Sequence, residues 1–195
     1  MKIRRQVFTG VFVVLLLVAV HPGGAQMKGR MTTADILATL KPGQWAELEG
    51  TVQQDFSVLC TKVKLLTGDL LDDDWEINGV IQKVNKEKQE VEILRLPIKV
   101  QPETEFEDEA GKLKSLADVK ANMFVQVEGT YLKDGTFLAK QIENKAAKLA
   151  EKPQLKNEIQ ITGKVEKIDP TKHTITLMGM TFRLTGITKG TSAIK

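Results

Sequence analysis

The chain has a single cysteine, Cys60, in 195 residues. One thiol cannot close an intramolecular disulfide, so an apolar core must hold the fold even in an oxidising compartment, where paired cysteines are common. Histidine is nearly as scarce, with only His21 and His173. A zinc site needs several nitrogen or sulfur ligands, and an activated serine or cysteine needs a base beside it. His173 alone supplies neither. Aromatic residues make up 5% of the sequence, which is thin material for a stacking platform that binds sugars or single strands. A one-sided charge is also missing. The chain has 28 basic and 25 acidic residues, and Lys2, Arg4 and Arg5 lie ahead of residue 26. Without those three the two signs are even. Binding that depends on phosphate neutralisation needs a basic surface, so no nucleic-acid partner is expected.

The one long apolar run explains where those three charges sit. Lys2, Arg4 and Arg5 precede Val11 to Val20, an unbroken apolar stretch. A membrane span needs about 20 such residues, whereas a signal h-region needs about half that. Pro22 ends the run, and Gly23-Gly24-Ala25 offers small residues for cleavage. Residues 1–25 are therefore expected to be a removable signal peptide, which would make the protein exported, periplasmic or secreted. No transmembrane segment is expected once the signal has gone.

Internal repetition organises the remainder. Shifting the sequence by 84 residues lays Trp75–Thr104 over Ile159–Thr188 without a gap. Apolar positions coincide, among them Ile77 with Ile161, Ile93 with Leu177 and Ile98 with Phe182, and Gly79 falls on Gly163. A shift of 79 lays Leu37–Lys64 over Leu116–Glu143, matching Glu49-Gly50-Thr51 to Glu128-Gly129-Thr130. The chain thus runs back half, front half, back half, front half.

Each front half alternates apolar and polar residues, the period of a half-buried strand. It reads as three strands, with a slip near Val84 that suggests a bulge. Each back half reads as a short helical segment, capped by Thr33 or Ser115, followed by a hairpin. Lys133-Asp134-Gly135 is a hairpin turn signal. Gln54-Asp55-Phe56 fills the matching stretch without a glycine. Three strands, a short helix and two strands is the order of an oligonucleotide/oligosaccharide-type barrel. The expected fold is all-β with short helices, in two small five-stranded OB-like antiparallel barrels. Residues 75–144 would form a complete central module and 145–157 a linker or polar helix. The back half at 36–70 would pair with the front half at 158–189 to make the second barrel. The competing arrangement pairs each back half with the front half that follows it. Gly186–Lys195 reads as a frayed tail.

Several of these stretches resemble a known family. Glu76-Ile-Asn-Gly-Val-Ile-Gln-Lys-Val, Thr104-Glu-Phe-Glu-Asp, Ser115-Leu-Ala-Asp-Val-Lys, Val125-Gln-Val-Glu-Gly and Asp134-Gly-Thr-Phe-Leu-Ala-Lys-Gln-Ile are similar to the bacterial domain of unknown function 5666. The resemblance covers Trp75 to Asn144 fully and each flanking segment by half a domain. It implies exported bacterial proteins with small β-barrel modules, often in tandem. It carries no catalytic or binding residues.

The candidate chemistry is sparse. Asp72, Asp73, Asp74 and Glu76 form the sharpest charge cluster, with Asp69 close by. A hard cation takes several oxygen ligands from a tight loop, but this spacing matches no EF-hand, and three acids in a connector read first as a solvated loop. Glu103, Glu105, Glu107, Asp108 and Glu109 form a second acidic stretch of the same kind. Paired carboxylates could hydrolyse glycosides, but nothing in the sequence sets two of them across a cleft. Trp45, Trp75, Phe124, Phe137 and Phe182 match apolar positions in the sister repeat and are expected in the core, leaving Phe56, Phe106 and Tyr131 free. Cys60 matches Ala139 and reads as packing. The expectation is a non-enzymatic, exported binding or scaffold protein with no cofactor and an unknown protein or glycan partner in the cell envelope. The alternative is a periplasmic divalent-cation-binding protein that uses the acidic connector, and a hydrolase is the third and weakest reading.

Overall fold

The computed structural model describes residues 31–108, 111–186 and 188–194. The expected signal at 1–25 and Glu109 lie outside the described residues. Alternating apolar side chains place much of the chain in strands. The back halves give the hairpins β1 (Trp45–Val52) with β2 (Val58–Thr67), and β7 (Phe124–Tyr131) with β8 (Phe137–Asn144). The first front half gives β3 (Trp75–Val80), β4 (Lys83–Asn85), β5 (Glu90–Ile93) and β6 (Leu96–Asp108). The second gives β9 (Glu158–Lys164), β10 (Lys167–Asp169), β11 (Thr174–Leu177), β12 (Met180–Arg183) and β13 (Lys189–Ile194). Side chains alternate between the two faces of a strand, and the inward row of β1, Ala46 and Leu48, is fully buried.

The fold is mostly β with a few short helices. The strands do not divide into two separate closed barrels. They form one continuous sheet in the order β10-β11-β12-β2-β1-β9-β3-β7-β8-β6-β5-β4, with β13 also pairing β2. Within each half the sheet curls. The path from β3 through β7, β8, β6 and β5 returns to β4, which is the continuation of β3 beyond a break at residues 81–82. The path from β9 through β1, β2, β12 and β11 returns to β10 in the same way. β6 runs parallel to β8, and β12 and β13 run parallel to β2. The strand partners of β1 and β2, beyond each other, are therefore β9, β12 and β13, from the far end of the chain.

The two halves meet where β3 pairs β9, and this junction is why the barrels are not separate. Glu76 faces Thr162, Ile77 faces Ile161 and Asn78 faces Gln160. The shift of 84 makes Ile77 and Ile161 equivalent residues, and they face each other. That is the arrangement an approximate two-fold axis produces, with one surface patch meeting its own copy. Hydrogen bonds repeat across the axis. Thr104 Oγ1 donates to Ala139 O at 2.7 Å, and Thr188 Oγ1 donates to Cys60 O at 2.8 Å. Both threonine hydroxyls also accept a backbone N–H, from Gln101 at 2.8 Å and from Thr185 at 2.9 Å. Asn122 N donates to Ile81 O as Gly43 N does to Val165 O, each at 2.8 Å. Register shifts fall at matching places, between Glu49 and Gly50 and between Glu128 and Gly129. A Cβ at Gly129 would overlap the carbonyl oxygen of Leu138, so the bulge needs glycine there.

Three local expectations change. Ser115–Lys120 forms turns and not a helix: Asp118 N donates to Ser115 O and Val119 N to Leu116 O. The Asp118 carboxylate accepts from the Lys114 and Ser115 amides and the Ser115 hydroxyl, which gives the backbone an alternative to helix. The first segment does form α1 (Thr33–Thr39), but its cap is Thr32, not Thr33, in a capping box with Asp35. The stretch read as a frayed tail contains β13, whose backbone pairs with β2 from Lys189↔Lys62 to Ile194↔Thr67. Sheet pairing outweighs the weak apolar pattern there. Between the halves lie α2 (Ala146–Glu151) and a 3-10 helix at Pro153–Asn157, with no buried residue in either.

Candidate ligand groove

The hairpin tips of both halves converge on one groove. In β5–β6, Ile93 pairs with Leu96, leaving Leu94 and Arg95 as a two-residue turn with φ of 48° and 66°. In β11–β12, Leu177 pairs with Met180 around Met178 and Gly179, at 49° and 69°. Positive φ at both central residues is the type I′ geometry that fits the twist of a hairpin. Leu94 and Met178 are anchored by burial. The longer β1–β2 and β7–β8 turns also match. Gln53 N donates to Ser57 O and Phe56 N to Gln53 O, as Leu132 N does to Thr136 O and Gly135 N to Leu132 O. The left-handed residue is Phe56 at 65° in the first turn and Gly135 at 85° in the second.

At both kinds of tip, then, one copy has glycine in the left-handed region and the other has a large side chain. Phe56 stands where the sister repeat has Gly135, and Arg95 stands where it has Gly179. A non-glycine residue there costs about 1–2 kcal/mol. The two costly residues touch: the Arg95 guanidinium lies over the Phe56 ring, 4.4 Å from its centroid. Their glycine counterparts sit together under Tyr131, whose hydroxyl would lie 3.8 Å from a Cβ on Gly135 and 3.6 Å from one on Gly179. All four tips line a groove of about 710 Å³, along with Asp55, Met178, Thr181 and Arg183.

The electrostatics of the groove are one-sided. Arg95 and Arg183 are the only arginines among the described residues, and both line it. Every ion pair among the described residues is made by a lysine, so neither guanidinium has a carboxylate within 4.0 Å. Asp55 is the one carboxylate on the groove wall. Its Oδ1 accepts from Ser57 Oγ at 2.6 Å and Ser57 N at 3.0 Å. The Ser57 hydroxyl bond, then the Ser57 amide and the field of Arg183 hold its carboxyl below the usual range. Glu166 accepts from Gly179 N at 3.1 Å and braces the β11–β12 tip. Burial, then the charges of Glu166 and Asp134 and a hydrogen bond to Glu166, push the Tyr131 phenol up.

The residues singled out from sequence lie elsewhere or play quieter parts. Asp72 bonds Lys164 at 2.6 Å and Asp73 bonds Lys140 at 2.9 Å. Asp74 accepts from Leu71 N at 2.7 Å, and Glu76 accepts from the Asn78 amide. The Lys140 hydrogen bond, reinforced by its charge, lowers the Asp73 carboxyl. The four acids thus engage separate partners, and among the described residues no three His, Cys, Asp or Glu side chains gather as a metal centre would require. His173 is exposed in the β10–β11 turn. Cys60 is fully buried, and burial pushes its thiol up to about 12. Trp75, Phe124, Phe137 and Phe182 are core residues. Trp45, expected beside them, is half-buried because Trp75 and Lys164 cover it: the two indoles lie 5.1 Å apart and the Lys164 ammonium 5.4 Å from the ring. Tyr131 and Phe106, expected to be free, are half-buried; Tyr131 packs on Trp75 with ring centroids 5.4 Å apart. Phe56 is free, at 42% exposure. The groove itself was missed. Its signal in the sequence was the replacement of one repeat's glycines by Phe56 and Arg95.

Residues 78–143 match the family described as Domain of unknown function (DUF5666), which supports the resemblance over the central module. No curated protein and no solved structure matches the chain. No helix among the described residues is long and apolar enough to cross a membrane.

Proposed function

We propose that this is an exported, non-enzymatic binding protein that receives its ligand in the groove on the approximate two-fold axis. One observation carries this reading: Phe56 and Arg95 occupy strained positions where glycine serves in the sister repeat, and they meet over the groove. Strain is retained where the surrounding structure enforces it, and it clusters at ligand clamps. A volume of about 710 Å³ falls within the range of small-molecule sites. Export rests on the basic, apolar and small-residue pattern of residues 1–25, and places the ligand in the periplasm or outside the cell.

The test is a ligand screen read by backbone amide shifts of the labelled protein. Shifts confined to residues 55–57, 94–97, 131 and 178–183 support the reading. Hits that map consistently to another surface, or turnover of any library compound, refute it.

A further inference from the structure

We infer that the groove is an oxyanion site: it takes a small organic acid whose carboxylate or phosphate is held by Arg95 and Arg183 and whose apolar body lies against Phe56 and Tyr131. This deepens the function proposed above and rests on it.

The argument begins with the distribution of arginine. Lysine makes every ion pair among the described residues, and the two described arginines share one groove with no described carboxylate within 4.0 Å, although Asp55 feels the charge of Arg183. Arginine's planar fork suits bidentate recognition of carboxylate and phosphate, whereas lysine acts as a point charge. Arg95 is also pre-positioned. Its turn fixes the backbone in the left-handed region, its amide donates to Gln82 Oε1 at 3.3 Å, and its guanidinium rests on the Phe56 ring. A contact of Cζ on the ring leaves guanidinium N–H groups for an acceptor. Pre-organisation of this kind lowers the cost of binding.

Repeat symmetry makes the same point independently. The shift of 84 relates Arg95 to Gly179 and Arg183 to Lys99. Lys99 sits outside the groove in an ion pair with Glu90 at 2.7 Å, while Arg183 lines the groove. Arg95 adds a charge where its equivalent is glycine, and Arg183 keeps the charge of Lys99 but faces Thr174, where Lys99 faces Glu90. Asp55 is the one carboxylate among the wall residues, and its Oδ1 already accepts two bonds from Ser57; Glu166, behind the wall, is engaged by Gly179 N. The apolar part of the wall, from Phe56, Leu94, Leu96 and Met178, gives the body of an organic acid a surface that a bare inorganic ion would not use.

The experiment titrates the labelled protein with phthalate, with its neutral diamide and with inorganic phosphate. Amide and guanidinium N–H resonances report on the groove. Phthalate is expected to move the Arg95 and Arg183 signals and to bind at least tenfold more tightly than the diamide, since hydrogen bonds to a charged acceptor are about twice as strong as neutral ones. Arg95→Gln and Arg183→Gln should each weaken phthalate about tenfold and weaken the diamide by a smaller factor, so that the preference for the anion shrinks. Phosphate should bind more weakly than phthalate because it lacks the apolar body. Equal affinity for phthalate and diamide, or unchanged phthalate binding in both Gln variants, overturns the oxyanion assignment. Phosphate binding as tight as phthalate overturns the organic body. If neutral compounds shift the groove and anions do not, only this inference falls. If no compound shifts the groove, the function proposed above falls with it.

Discussion

The strain at residue 95 can be measured by exchanging Arg95 for alanine and for glycine. At an ordinary strand position glycine is less stable than alanine by about 0.5–1 kcal/mol, because it loses more backbone freedom on folding. Position 95 has φ of 66°, where a Cβ costs about 1–2 kcal/mol and glycine avoids that cost. The balance at residue 95 therefore inverts, leaving Arg95→Gly more stable than Arg95→Ala by about 0.5–1 kcal/mol. Both variants lose the stacking on Phe56, worth about 0.5–1 kcal/mol at an exposed site, so that term cancels between them. Relative to the parent, the glycine variant gains in the turn roughly what it loses in stacking and should lie within about 0.5 kcal/mol. Urea denaturation reads the difference: with a slope of about 2 kcal/mol/M, the two midpoints separate by about 0.3–0.5 M. Glu103 supplies the control, being exposed in β6 and outside the positive-φ set. There the alanine variant should be the more stable of the pair. If alanine equals or exceeds glycine at position 95 as well, the turn is not strained. The argument that strain marks the groove then fails.

Two further outcomes test the frame behind the groove. Gly129→Ala should destabilise by about 3 kcal/mol, because its Cβ would overlap backbone and not a movable side chain; Gly186→Ala, with nothing within 4 Å, should stay within about 0.5 kcal/mol in the same melts. Cys60 should resist thiol reagents until the protein unfolds. Its folded value of about 12 lies above the ordinary 9.0, so below pH 9 the thiol is protonated in both states and its contribution is intact. As the pH rises from about 9 toward 12 the unfolded thiol ionises first and stability is lost. Cys60→Ala should lose less stability across that window in parallel denaturation curves; equal losses would mean the thiol is not buried as described.

Much of the frame could be read from the sequence because packing imposes a period on it. The alternation through Trp75, Ile77, Gly79 and Ile81 gives β3, and Lys133-Asp134-Gly135 gives the β7–β8 turn, since each signal comes from local geometry. The error at Ser115–Lys120 was also local: a serine and an aspartate three apart fit a hydrogen-bonded turn as well as a helix start. What period and turn chemistry could not supply was the junction. Residues 75–80 must cover one curled half of the sheet and pair with β9 at the same time, and a two-state pattern of apolar and polar residues does not distinguish those demands. The acidic connector shows the reverse case. Asp72 and Asp73 stand out in sequence because they are adjacent, but in space each meets a lysine from a different strand. The groove depends on residues about 40 and 80 positions apart, none conspicuous alone. Phe56 reads as a turn without its glycine, and Arg95 carries no local signal.

The approximate two-fold axis gives those two residues their meaning. Had both halves kept glycine at all four tips, the groove would present the same wall twice. It would then have no preferred direction for a ligand. Placing Phe56 and Arg95 on one side leaves Gly135 and Gly179 on the other, where the space above them is taken by Tyr131 from β7. Val52 is its counterpart in β1, so this is a third departure from the repeat at the same place. Arg183 in place of a lysine is a fourth. In the core and at the bulges the halves remain alike, down to the paired Thr104 and Thr188 bonds, because packing there tolerates little change. Asn122 in place of Gly43 is a left-handed departure away from this groove, but four departures, two of them strained, meet at it. They separate the groove from the scaffold that holds it, and they predict that variants at Phe56, Arg95, Tyr131 and Arg183 change binding far more than they change folding.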